Sequence, residues 1–214
     1  MQSVLIYGSM FTLSVCLANR AKKTNNQLYI TGIVFLLSAV CGCRALSVGN
    51  DTKSYYNICL AILNSSPIGY ATLEKGFEYL CHLLLAIIPS PHFVFAVIAV
   101  LTYALVMSRL WELRNIAEFD WSVAGFILSF FPFTLSGIRQ GLALAIVFWA
   151  TRYLSNKKYA TYILFVLIAS TLHNTAIIAC ANLLWEIRLW RHLKKEIASY
   201  SLQFLLQLLL LQHF

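Results

Sequence analysis

Arg139 and Gln140 interrupt the apolar run Phe133-Thr134-Leu135-Ser136-Gly137-Ile138-Arg139-Gln140-Gly141-Leu142-Ala143-Leu144-Ala145, and His173-Asn174-Thr175 interrupts another thirty-odd residues on. Ionisable groups at membrane depth are costly, so they mark a functional site or a specific partner. A helix that begins near Ile138, after a turn at Ser136-Gly137, carries Arg139 in its first turn, with Ser136 available as its cap. Unpaired backbone N–H groups, the positive end of the helix dipole and a guanidinium then converge on one spot, which is the make-up of an anion site. Asn174 or Thr175 capping a following helix places His173, an acid/base group, beside a second such N-terminus. The plainer alternatives are an arginine that snorkels to lipid headgroups and a histidine bonded to a backbone carbonyl. Asp51 is either a simple N-cap or a second base, and Glu74 and Glu78 are either solvated charges or ligands.

The elements that must position these groups follow from composition. Hydrophobic residues make up 60% of the chain and charged ones 11%, against roughly a quarter charged in soluble domains. This describes a polytopic membrane protein of the all-α class, a single transmembrane helix bundle over residues 1–214. Apolar segments run from about Ser3 to Ala18, Leu28 to Cys43, Phe93 to Ser108, Trp121 to Leu135, Ile138 to Tyr153, Tyr159 to Leu172, Thr175 to Ile187 and Ile197 to Leu211. The first has no Lys or Arg before it and no small-residue cleavage site after it, so it reads as a membrane helix and not as a cleaved signal.

The net charge of +8 sits in short clusters between these segments, a pattern of membrane topology and not of a nucleic-acid footprint. With Arg20, Lys22 and Lys23, then Arg109 and Arg114, then Arg152, Lys157 and Lys158, then Arg188, Arg191, Lys194 and Lys195 all in the cytoplasm, twelve of the sixteen basic residues lie inside. The N-terminus is then outside. This arrangement requires two hairpins. Trp121 to Thr151 is broken by Pro132 and Gly137. Tyr159 to Ile187 would span about 43 Å as one helix, too long for a ~30 Å core, and turns at Leu172-His173-Asn174-Thr175. Legs this short leave both polar tips below the outer surface, in protein or in a water-filled cavity.

The remaining segment, 44–90, is an outer loop with two amphipathic helices. One follows Asp51 and carries Tyr55, Ile58, Cys59 and Ile62 as its stripe. The other repeats Phe77, Leu80, Cys81, Leu84, Leu85 and Ile88 at helical spacing and is expected on the membrane surface. Four of the six cysteines lie in apolar runs, and none has metal-ligand spacing. Only Cys59 and Cys81 are placed to form a disulfide.

The runs Gly137-Ile138-Arg139-Gln140-Gly141-Leu142-Ala143-Leu144-Ala145, Arg152-Tyr153-Leu154 with Lys157-Lys158-Tyr159, and Ala169-Ser170-Thr171-Leu172-His173-Asn174-Thr175-Ala176 resemble the EpsG family of bacterial exopolysaccharide polymerases, related to Wzy O-antigen polymerases. Arg44, Gly49, Asp51, Thr52 and Tyr55, with Glu74-Lys75-Gly76-Phe77-Glu78, match that family's outer loop. The resemblance implies a multi-spanning protein of the bacterial inner membrane that joins oligosaccharide repeat units carried on undecaprenyl pyrophosphate at the outer leaflet. Its implied partners are that lipid-linked oligosaccharide, membrane lipid and a chain-length regulator, with no nucleic acid, cofactor or metal. By the same resemblance Arg139 holds the pyrophosphate and His173 acts as base or positions the acceptor, with Asp51 the second choice of base. Gln140, Arg44, Glu74 and Glu78 are further substrate ligands. Family members usually carry more membrane helices, so this chain is expected to be a shortened one.

Two other functions fit parts of the pattern. A lipid or polysaccharide transporter also uses broken helices and an intramembrane arginine, although no internal repeat is visible. An intramembrane serine protease would pair Ser136 with His173, but no second small-residue motif follows His173 to bring the helices close.

Overall fold

The computed structural model describes residues 2–67 and 73–183. The fourth basic cluster (Arg188, Arg191, Lys194, Lys195), the apolar run 197–211 and the far end of the last hairpin leg lie outside the described residues. Within them the chain is all helix: α1 (Gln2–Thr24), α2 (Leu28–Gly42), α3 (Thr52–Leu63), α4 (Lys75–Ile87), α5 (Pro91–Glu112), α6 (Phe119–Ser136), α7 (Ile138–Ser155) and α8 (Tyr159–Leu172), followed by a 3-10 helix (Asn174–Ala179). Among the described residues three segments are long and apolar enough to cross a membrane, Val4–Thr24, Pro91–Asn115 and Phe119–Ser136.

The bundle has two side-chain clusters, and α5 belongs to both. Ala99, Tyr103, Val106, Met107 and Trp111 pack with α1, α2 and α6. Val94, Phe95 and Ile98, nearer the start of α5, pack with α3, α4, α7 and α8. Helices in lipid gain little from hydrophobic exclusion of one another, so close approach depends on small residues. A Cβ on Gly42 would stand 2.8 Å from the Ala96 methyl, and one on Gly141 would stand 3.1 Å from Thr134 Cγ2. The first contact joins α2 to α5 and the second closes the α6–α7 hairpin.

Ion pairs identify the two ends of the bundle. Lys22, at the end of α1, pairs with Glu118 and lies 3.7 Å from Asp120 at the start of α6. Glu112 binds Arg109 at 3.0 Å and Arg152 at 2.8 Å, which joins the ends of α5 and α7. The three described basic clusters therefore share one end, and both hairpin tips and the α3–α4 segment share the other. The turns at the basic end are short and use left-handed residues, Asn25 at φ 50° and Lys157 at φ 56°.

Four local expectations differ from what is observed. Helix α6 runs through Pro132 and ends only at Ser136, so the break rests on Gly137 alone. Proline removes one ladder donor, and a helix buried among neighbours tolerates that loss. Ser136 does not cap α7; its Oγ accepts the Asn50 N–H at 3.2 Å instead. Neither Asn174 nor Thr175 supplies a side-chain cap to the 3-10 helix, whose N-cap position is His173. The stripe of α4 also faces inward: Phe77, Cys81, Leu84 and Leu85 are buried against the bundle, while Tyr79, Leu83 and Ile87 form a second, exposed apolar row.

The segment between α2 and α3 is pressed onto the first hairpin tip. Gly49 has φ +84°, and a Cβ there would lie 2.1 Å from the Leu135 carbonyl oxygen. Gly49→Ala is therefore expected to cost about 1 kcal/mol for the left-handed backbone alone, with the displacement of Leu135 in addition. The thermal midpoint in detergent should fall by several degrees. Gly8→Ala, where nothing lies within 4 Å, should not lower it; equal behaviour of the two variants would refute the contact.

Candidate functional site

The break at Gly137 leaves the first N–H groups of α7 without helical partners and sets Arg139 in the first turn. The break at His173, whose backbone is extended (φ −155°, ψ 119°), does the same for the 3-10 helix that follows. Glu74 comes between these tips. It precedes α4 in extended conformation, and Gly76 brings that end of α4 onto α8: a Cβ at Gly76 would lie 2.4 Å from Thr171 Oγ1 and 2.6 Å from the Thr171 carbonyl oxygen.

The Glu74 carboxylate gathers both tips. Oε2 accepts from Arg139 Nη1. Oε1 accepts from the Asn174 N–H at 3.2 Å and lies 3.0 Å from His173 Nδ1. Glu74 thus supplies the capping interaction that neither Asn174 nor Thr175 makes, from 100 residues away. A carboxylate can only accept, so the Nδ1 position carries the proton. The neutral imidazole then keeps its lone pair on Nε2, for which no hydrogen-bond partner is found among the described residues. The Glu74 side chain is 8% exposed, and those of Arg139 and His173 are 22% and 21% exposed. The carboxylate is sealed in, while its two partners keep an open edge.

Arg139 is also held from below. Its Nε donates to the Tyr55 hydroxyl at 3.3 Å, and its guanidinium carbon lies 5.5 Å from the Tyr55 ring centre and 5.8 Å from that of Phe77. These rings meet edge to face at 5.8 Å. Burial pushes the Tyr55 phenol above its ordinary range, against the pull of Arg139, so it stays protonated and its O–H remains a donor. With Nε and Nη1 engaged, the edge bearing Nη2 is the one presented to a ligand.

The other sequence candidates are distributed differently. Asp51 precedes α3 without making a side-chain cap and is near enough to act electrostatically on Tyr55 and Arg139. Gln140 is half-buried beside Gly137. Glu78 binds Lys75 Nζ at 2.9 Å. Arg44 is 4% exposed and makes none of its hydrogen bonds to Arg139, Glu74 or His173. Its Nη1 donates to the Cys41 carbonyl at 2.8 Å, its Nε donates to Thr52 Oγ1 at 3.1 Å, and its guanidinium carbon lies 4.9 Å from the Phe95 ring centre. Ser136 and His173 form no dyad, since Ser136 accepts from Asn50 and His173 is turned to Glu74. Tyr55 and Phe77 read in the sequence as apolar stripe positions and as part of the outer-loop resemblance, with no site role assigned; their place one turn into α3 and beside Glu74 was the available signal for one.

The model of the EpsG family matches residues 27–212 of the chain. No curated protein and no solved structure matches it.

The geometry makes Glu74 the residue on which the others depend. Glu74→Gln keeps the size but leaves one acceptor oxygen where the carboxylate has two, so an amide N–H must face either Arg139 Nη1 or the His173 Nδ1 and Asn174 N–H pair, for an expected loss of about 1–3 kcal/mol. Gly76→Ala should have the same consequence indirectly, by lifting the start of α4 off Thr171. Spin labels or fluorophores placed on α4 and α8 should report a wider separation in Gly76→Ala. An unchanged separation would show that the close approach is not needed.

Proposed function

We propose that this chain, which belongs to the EpsG family, is a membrane polysaccharide polymerase that joins oligosaccharide repeat units carried on undecaprenyl pyrophosphate. Membership of the family and the apolar helices support a membrane protein of exopolysaccharide-polymerase type. The observation that carries the finer reading is the convergence of Arg139, a helix-start N–H and a histidine on the one carboxylate of Glu74 at the tips of two hairpins.

In the reaction, an acceptor hydroxyl oxygen bonds to the anomeric carbon of the donor sugar as the bond from that carbon to the lipid pyrophosphate breaks. Negative charge develops on the departing phosphate. A guanidinium fixed on an aromatic shelf, with its Nη2 edge open, stabilises that charge without reorganising during the step. His173 Nε2 takes the proton of the attacking hydroxyl, and Glu74 on Nδ1 stabilises the imidazolium that results. Asp51 and Gln140 border the same tip and are the residues from which sugar hydroxyls would be held.

The reading places the hairpin tips and the α3–α4 segment on the extracytoplasmic side of the bacterial inner membrane and the basic clusters in the cytoplasm, with the N-terminus outside. Single cysteines at positions 51 and 158 should label from opposite sides of the membrane; labelling of both by an impermeant reagent from one side would refute this orientation.

Arg139→Lys keeps the charge and loses the planar fork. Polymer yield should fall at least about tenfold, equivalent to ~1.4 kcal/mol of transition-state stabilisation, while membrane insertion stays normal. Arg139→Ala, His173→Ala and the double variant should be strongly non-additive in polymer yield, as residues of one unit are. Additive losses, or product of unchanged length from Arg139→Lys, would sink the shared-site mechanism.

A further inference from the structure

Helices α3 and α4 meet along two successive rungs. Tyr55 and Phe77 form the first, with the guanidinium of Arg139 packed over both rings. One helical turn further along each helix come Cys59 and Cys81, both 1% exposed and packed in the same cluster. These are the two cysteines, of six, that the sequence places between the apolar segments at this end and not within them. The rung below the arginine shelf is thus a facing pair of thiols in a chain segment with no other covalent restraint.

We propose that Cys59 and Cys81 are joined as a disulfide in the mature protein, a covalent staple between α3 and α4 that fixes the aromatic shelf under Arg139. The inference rests on the reading that this end of the bundle faces the extracytoplasmic compartment, where disulfides form and persist. The two thiols lose two electrons and two protons, which pass to a protein disulfide donor of that compartment; the donor is reduced to its dithiol as the new S–S bond forms. Because both sulfurs are sealed in the folded protein, exchange takes place while α3 and α4 are docking. The neighbouring Cys81 thiol holds Cys59 below the ordinary thiol range in spite of burial, while Cys59 and then burial push Cys81 up.

The bond acts on the site through helical rigidity. Cys59 lies four residues after Tyr55, and Cys81 four residues after Phe77. Tying the second rung restrains the first, and with it the two rings against which the guanidinium packs. It also shortens the free path of the chain that carries Glu74, since residues 60–80 become a closed loop.

The test uses the full chain in membranes, acid-quenched and then unfolded in detergent with a maleimide-linked polymer that adds a fixed mass per thiol. The wild-type protein should take four additions before reduction and six after it. Cys59→Ser and Cys81→Ser should each take five in both conditions. Six additions before reduction would overturn the proposal, as would a single variant that gains thiols on reduction, since the bond would then lie elsewhere. A second measurement addresses the staple: reductant should lower the thermal midpoint of the wild type by several degrees and leave Cys59→Ser/Cys81→Ser unmoved. No shift in the wild type would refute a structural role. Neither readout uses polymer, so four additions in a protein that makes no polysaccharide would retain the disulfide and count against the polymerase instead.

Discussion

The carboxylate of Glu74 is the constraint around which this end of the bundle is arranged. It is the least exposed member of its group, and it holds the guanidinium of one hairpin tip together with the imidazole and a backbone N–H of the other. A buried carboxylate without partners costs several kcal/mol. Each tip by itself also carries unmet donors: the first N–H groups of a helix, and a cation in an apolar setting. Bringing one acceptor to three donors settles both deficits at once, and it fixes the spacing of Arg139 and His173 more firmly than packing between α7 and α8 alone. The convergence of positive groups that would attract a ligand anion is thus already organised by an anion of the chain itself, leaving Nη2 of Arg139 and Nε2 of His173 for exchange with a substrate.

That arrangement depends in turn on close approaches that only glycine permits. Glu74 reaches His173 because Gly76 lies flat on Thr171, and the segment that leads into α3 reaches the first tip because Gly49 lies flat on Leu135. Both contacts are made by backbone, so they position the site with little freedom of rotamer. Helix α5 supplies the rest of the frame. Its first turns face the site cluster and its later turns face the α1, α2 and α6 cluster, and α7 likewise has residues in both, Ile138 and Leu142 in the one and Leu144 and Phe148 in the other, so the tips are anchored to the bundle through two shared helices.

Much of this was legible in the sequence, and the reason is physical. The two tips appear as polar interruptions of apolar runs, and the cost of such interruptions singles out Arg139 and His173 without any partner in view. Charge clustering correctly grouped the described basic segments at one end. What the sequence does not encode locally is which acceptor the tips share. Glu74 lies 65 residues from Arg139 and 99 from His173, and along the chain it looks no different from Glu78, which pairs with its neighbour Lys75. Asp51 looked the better second base because an aspartate before a helix has an evident local rationale. The capping expectations for Ser136, Asn174 and Thr175 failed for a related reason: local rules assign a side chain to each helix start, whereas here Asn50 engages Ser136 and Glu74 answers the Asn174 N–H from distant segments.

Arg44 and Arg139 show how one residue type is put to two uses at the same end of the bundle. Arg139 has an acid partner, a hydroxyl, two aromatic rings and an open edge. Arg44 has no acid partner among its bonds; its guanidinium is spread over the Cys41 carbonyl and sulfur, the Thr52 hydroxyl and the Phe95 ring, and its buried Nη2 has no partner among the described residues. A lysine would not reproduce this set, because its compact ammonium lacks the planar fork that lies against a ring while donating from separate Nε and Nη1 positions. The Thr52 hydroxyl that accepts from Arg44 shares its one hydrogen between the Val48 carbonyl at 2.6 Å and the Leu135 carbonyl at 3.1 Å. Leu135 stands four residues before Arg139, just ahead of the Gly137 break. The enclosed arginine therefore ties the end of α2 and the start of α3 to the tip that carries the exposed one. Charge is sequestered at Arg44 to hold the frame, so that charge at Arg139 can be left facing out.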